Sequence, residues 1–168
     1  MLHTPQPARM KDKICVSGED TLFKETDMNR ILLIALLLLT ACTQLPPPPG
    51  DAAAKRFELV PDRAVIYVLR SPLERDFVAP IMLDDEMMGS TYRGTFIRLV
   101  VPAGQHQIAG FAADSGRISL KTEAGKLYFI NQTTFGYSSL TGSTFQLVDE
   151  PYGRSIVLGG TLTNEVIK

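Results

Sequence analysis

The chain is poor in the side chains that most often carry chemistry. It has two cysteines, Cys15 and Cys42, and two histidines, His3 and His106. Neither sign of charge prevails, with 17 Lys and Arg against 18 Asp and Glu. No basic stripe therefore points to nucleic acid, and no charge run is longer than Asp84-Asp85-Glu86. There is no Gly-x-Ser-x-Gly elbow to present a nucleophile. A catalytic zinc site needs three protein ligands, mostly His or Cys, and the supply falls short. These absences exclude most nucleophilic, thiolate and zinc chemistry, and no cofactor is implied.

The apolar run from Ile31 to Leu39 follows Asn29-Arg30 and closes on Leu39-Thr40-Ala41-Cys42. A spanning helix needs about 20 apolar residues, so this run suits the core of a signal peptide better. A basic residue, a short apolar core, small residues and then a cysteine resemble a bacterial lipoprotein signal with its lipobox. The resemblance implies cleavage between Ala41 and Cys42, diacylation of the Cys42 thiol, and acylation of the new amino terminus. One acyl chain holds a protein to a membrane only marginally, whereas several hold it stably. Thr43, rather than Asp, follows the cysteine; by the same resemblance this implies an outer-membrane anchor facing the periplasm.

Residues 1–27 have mixed charge and no apolar periodicity, whereas Met28-Asn29-Arg30 is a complete start for a signal peptide. The expected organisation is therefore an untranslated stretch at 1–27, a signal peptide at 28–41, a lipidated and proline-rich linker at 42–61, and a domain at 62–168. From Cys42 onward, 12 basic residues face 13 acidic ones. With Cys42 acylated, no thiol is left for a disulfide, so the fold must rest on its apolar core. Pro46 to Pro49 favour a stiff polyproline II spacer between anchor and domain.

From Asp62 the chain reads as short strands parted by turn residues. Ala64-Val65-Ile66-Tyr67-Val68-Leu69 has the composition of a strand buried on both faces. Further strands are expected over 78–83, 95–101, 106–111, 117–121, 127–130, 144–148 and 155–158, with a short terminal helix possible in 162–167. Pro80 places its strand at an edge or bulge. The pattern predicts an all-β fold, a small antiparallel β-sandwich of seven or eight strands.

Three phrases within it are more specific: Leu83-Asp84-Asp85 with Gly89, Val101-Pro102-Ala103-Gly104-Gln105-His106, and Glu123-Ala124-Gly125-Lys126-Leu127-Tyr128-Phe129. Over roughly Arg63 to Leu158 the chain is similar to a domain-of-unknown-function family of bacterial envelope lipoproteins, and more distantly to PEGA-type surface β-domains. That resemblance implies a fold and a compartment but no chemistry.

Candidate site residues are few. His106 stands at a turn and reads as a packed strand residue, because no partner in the sequence marks it as a base. The acidic Asp84-Asp85-Glu86 lacks the spaced ligands of a calcium loop and reads as a hairpin tip. Thr133 to Ser143 reads as a polar, glycine-rich loop carrying Phe135 and Tyr137, either as an exposed recognition surface or folded back over the sandwich. The expected function is a non-enzymatic, lipid-anchored binding or accessory module, held to the membrane through Cys42 and touching an envelope protein through Phe135 and Tyr137. The alternative is a carboxylate-based hydrolase or carbohydrate-binding enzyme using Asp114, Asp149 or Glu150. A cleft with two close carboxylates would favour the second. If translation starts at Met28, the codons of Lys24-Glu25 should read AAG-GAG, a ribosome-binding sequence; AAA-GAA in the gene would count against that start.

Overall fold

In the computed structural model, residues 46–137 and 140–168 are described, together with Arg30. The expected signal peptide (apart from Arg30), the cleavage position at Ala41, the acyl acceptor Cys42 and the 1–27 stretch lie outside the described residues.

The elements run α1 (Asp51–Ala54), β1 (Ala64–Leu69), β2 (Ala79–Leu83), β3 (Glu86–Thr91), β4 (Thr95–Val101), β5 (Gly104–Gly110), β6 (Arg117–Thr122), β7 (Leu127–Tyr137), β8 (Leu140–Val148), α2 (Glu150–Gly159) and β9 (Thr161–Ile167). The strands form two sheets, ordered β8-β7-β1-β4-β9 and β3-β2-β5-β6. The architecture is an all-β sandwich, with nine strands where seven or eight were expected. The four-stranded sheet is antiparallel throughout. The five-stranded sheet is mixed, because β1 pairs β7 in parallel and β4 pairs β9 in parallel.

Between the sheets lies one core of alternate residues, among them Ile66, Val68, Leu83, Ile97, Leu99 and Ile108. A second core covers the opposite face of the five-stranded sheet. Val65, Tyr67, Leu69, Phe96 and Phe129 meet Ala54, Phe57 and Val157 there. All six residues of β1 are consequently buried, as its composition predicts. Tyr67 stacks on Phe129 with ring centroids 5.2 Å apart, and its hydroxyl donates to the Ala54 carbonyl at 2.7 Å. Burial pushes the Tyr67 hydroxyl above its ordinary pKa, and Arg98 opposes the shift.

Residues 51–61, expected as part of the linker, belong to the packed domain. Asp51 is buried and its Oδ1 accepts the Leu162 N–H at 2.7 Å. Lys55 pairs with the other carboxylate oxygen at 2.8 Å. The chain is thereby pinned to the start of β9; Pro46 to Pro49 before it are exposed, and the Asp51 N–H donates to the Pro48 carbonyl at 3.1 Å across a turn at 49–50.

Two expectations at the C-terminal end are corrected. Residues 155–158, expected as a strand, lie within α2, and 162–167 forms β9 rather than a helix. The helix starts where Asp149 accepts the Tyr152 N–H at 2.8 Å, with proline in the first turn. This is an N-cap followed by a helix-starting proline. Strands β8 and β9 run in the same direction at opposite edges of the sheet, so the link between them must cross its face. A helix with one apolar side is the economical way to do that.

Gly153 is the contact point of that crossover. A Cβ placed there would lie 2.3 Å from Cγ of the buried Phe129, which has no room to give. Gly153→Ala should destabilise the domain by about 1–3 kcal/mol through overpacking. Gly159→Ala, which faces open space, should leave the thermal midpoint nearly unchanged in the same melting experiment.

Candidate functional site

The strand registers bring four chain segments to one end of the sandwich. Leu69 lies opposite Phe96 and Asn131, and Thr95 opposite Thr161. Beyond this row lie the segment after β1 (71–78), the β3–β4 turn (92–94), the β5–β6 loop (111–116) and the projecting β7–β8 hairpin.

A fully buried arginine organises this end. Arg70 Nη1 donates to the carbonyls of Phe77 and Thr91, and Nη2 donates to the Arg75 carbonyl and to Thr134 Oγ1. Among the described residues no carboxylate lies within ion-pair distance of Arg70, and its Nε has no hydrogen-bond partner. Burial pulls the guanidinium below its ordinary pKa, while the charges of Glu74 and Asp76 oppose that pull. A buried cation surrounded by carbonyl oxygens is a clamp, and it fixes the course of residues 71–78. Beside it, Thr91 Oγ1 donates to Gln132 Oε1 at 2.5 Å, and Gln132 Nε2 donates to Ser143 Oγ at 2.8 Å. The Gly116 N–H donates to the Ser143 carbonyl at 2.7 Å, tying the β5–β6 loop to the hairpin.

The segment from Thr133 to Ser143, expected as a loop, is largely strand: β7 and β8 pair from Phe129 opposite Val148 out to Tyr137 opposite Leu140. The signal missed was alternation, since Gln132 and Thr134 point inward while Thr133 and Phe135 are exposed. Phe135 faces Gly142 across the pair, and its ring occupies the space where a Gly142 side chain would stand. It covers a glycine and remains 39 % exposed. An open cavity of about 330 Å³ is lined by Arg75, Thr134, Phe135 and Gly136. The backbone of Tyr137 closes β7.

The carboxylates of the enzymatic alternative do not converge. Asp114 Oδ1 lies 3.1 Å from the position of a Gly142 Cβ. Asp149 is seven residues further along the chain than Gly142, roughly 23 Å away at strand rise. Asp149 caps α2, and Glu150 pairs with Arg154 at 2.7 Å. Glu150 and Arg154 border a second cavity, of about 460 Å³, with Phe57, Leu59 and Lys126. Among the described residues no three of His, Cys, Asp and Glu gather as metal ligands would.

His106 does have a partner, at the opposite end of the sandwich. Its Nδ1 lies 2.7 Å from Asp84 Oδ2 and its Nε2 lies 2.9 Å from the Pro102 carbonyl. Both neighbours offer an oxygen to the ring, so the imidazole is held between the hairpin tip and the Pro102 turn. Asp84 and Asp85 have φ of 52° and 65°, the left-handed pair that a two-residue type I′ hairpin requires. Asp84 Oδ1 also accepts the Gln107 N–H at 2.8 Å. The sequence showed a hairpin tip and a turn histidine; their pairing arises because β2 and β5 are neighbours in the sheet.

No family model matches the chain. A protein of Haemophilus influenzae described as "Uncharacterized protein" is 28% identical over 127 residues, spanning 72% of this chain and 75% of that one.

Burial pushes the Asp84 carboxyl up, but the Gln107 N–H and His106 outweigh it and hold it below the usual carboxylate range. A depressed folded-state value stabilises the protein above the unfolded carboxyl pKa of about 3.9, and that gain is lost as pH falls through the folded value. Asp84→Asn should therefore lower stability at neutral pH, by about 1 kcal/mol or less because solvent screens so exposed a pair. The gap between wild type and variant should close in acid, as read by urea denaturation across pH.

Proposed function

We propose that this chain is a lipid-anchored lipoprotein of the bacterial envelope, facing the periplasm from the outer membrane, and that it acts by contact rather than by catalysis. The observation that carries this reading is Leu39-Thr40-Ala41-Cys42 at the end of a short apolar run, followed by four consecutive prolines that lead into a β-domain. The three phrases that resemble an envelope-lipoprotein family support it, and Gly125 in one of them takes the left-handed φ, 72°, that a tight turn needs. The recognition surface is the end of the sandwich that carries Phe135, and its partner is another component of the envelope.

The hydrolase reading draws less support. Its carboxylates are spent on a helix cap and a helix-surface ion pair, and Asp114 stands far from both.

Cys42→Ser tests the anchor. In cells fed labelled palmitate, the wild-type protein should carry label and run as the processed form. The variant should carry none and keep its signal peptide. A variant processed normally would overturn the reading.

A further inference from the structure

We infer that the end of the sandwich bearing Leu73, Phe111 and Phe135 rests on the phospholipid surface in which the chain is anchored. This names the partner of the surface proposed above, and it rests on the lipoprotein reading.

The first argument is where the tether leaves the domain. Asp51 is bound to the Leu162 N–H, and Leu162 lies opposite Phe96 in the row that borders this end. The Asp51 N–H donates to the Pro48 carbonyl at 3.1 Å, so the chain turns at 49–50; from Cys42 to Pro48 is six residues, about 19 Å at most in a polyproline II form. So short a spacer, joined near this end, keeps its loops within reach of the bilayer.

The second argument is the character of the two ends. The loops here carry Leu73, 94 % exposed, and Phe111, 67 % exposed, with Tyr92 and Phe135 partly exposed beside them. Their charges are few, Glu74, Asp76 and Asp114 against Arg75 and Arg93, with the buried Arg70 behind them. The opposite end gathers Asp62, Asp84, Asp85, Glu86, Glu123 and Asp149 against Arg63, Lys121, Lys126 and Lys168, with Glu123 and Glu86 paired to Lys126 and Lys168, and the acidic excess that is left is repelled by an anionic lipid surface. Exposed apolar residues there, such as Met87, stand next to those carboxylates.

The third argument is rigidity. Arg70 clamps the segment that presents Leu73, and the Gly116–Ser143 bond ties down the loop that presents Phe111. Apolar side chains on fixed loops lose little freedom on entering the interface. Such groups sit about 5–10 Å into the headgroup and acyl boundary.

The chain contains no tryptophan, so one introduced indole reports on its own position. Full-length acylated protein carrying Leu73→Trp, Phe111→Trp or, at the far end, Met87→Trp would be placed in phosphatidylethanolamine–phosphatidylglycerol vesicles, with and without bromine on the acyl chains. The first two should lose fluorescence in the brominated vesicles, and Met87→Trp should not. Equal or absent quenching at all three sites, in protein that still floats with the vesicles, would overturn the docking while leaving the anchor intact. Unquenched Leu73→Trp and Phe111→Trp that crosslink in cells to one envelope protein would overturn it in favour of a protein partner. Protein that is not acylated and does not float would bring down the lipoprotein reading itself.

Discussion

Burial of the five-stranded sheet on both faces is the constraint on which the rest of the molecule depends. A sheet wetted on one side needs one partner layer, and the second sheet supplies it. Tyr67, Phe96 and Phe129 place large rings on the other face as well, and water cannot be left against them without losing on the order of 1.5–3 kcal/mol per ring. A third layer must therefore exist. The chain builds it from two separate stretches, Asp51 to Phe57 and helix α2, with Arg154 lying 4.3 Å over the Phe57 ring. The path of residues 51–57 and the β8-to-β9 crossover are both consequences of covering that face.

At the end of the sandwich that carries Arg70, the design changes from apolar to polar. Arg70, Thr91, Gln132 and Ser143 are buried, and they satisfy most of their hydrogen bonds through one another and through loop carbonyls. A buried cation among carbonyl groups fixes position more than it adds stability. It lets short segments without secondary structure hold one conformation and so carry exposed side chains at defined places. The opposite end is built from tight turns, and its acidic side chains are partly engaged in local pairing, as Asp84 is with His106. One domain thus presents two ends of different chemistry, and the proposed lipid contact is a use of that difference.

Much of the strand plan could be read directly. β1 and β4 have the limits that their β-branched and aromatic runs suggest, and the turns at Asp84-Asp85, Pro102–Gly104 and Gly125 are where glycine, proline and aspartate placed them. The sequence misled where local composition and long-range need pulled apart. Ser155-Ile156-Val157-Leu158 reads as a strand by its branched residues, yet Asp149, Glu150 and Pro151 had already started a helix. Phe57 lies in a stretch that looks like linker, because nothing local reveals that a ring from β7 needs covering. The candidate site was half legible: the exposed Phe135 could be picked out, but Arg70, the residue that organises its surroundings, looks in sequence like an ordinary charge after a strand.

What the sequence determined by itself is the class of the protein: mostly strand, with no cysteine after Cys42, and with its turns fixed by residues with restricted or unusual φ. These are local properties, set by side-chain shape and backbone preference within a few residues. The tertiary structure alone decided that the sheet is mixed, that a helix closes it, that His106 meets Asp84, and that Arg70 is buried beneath Phe77 and Thr134. Each of these joins residues distant in the chain, and only the packing of one layer on another determines which of them meet.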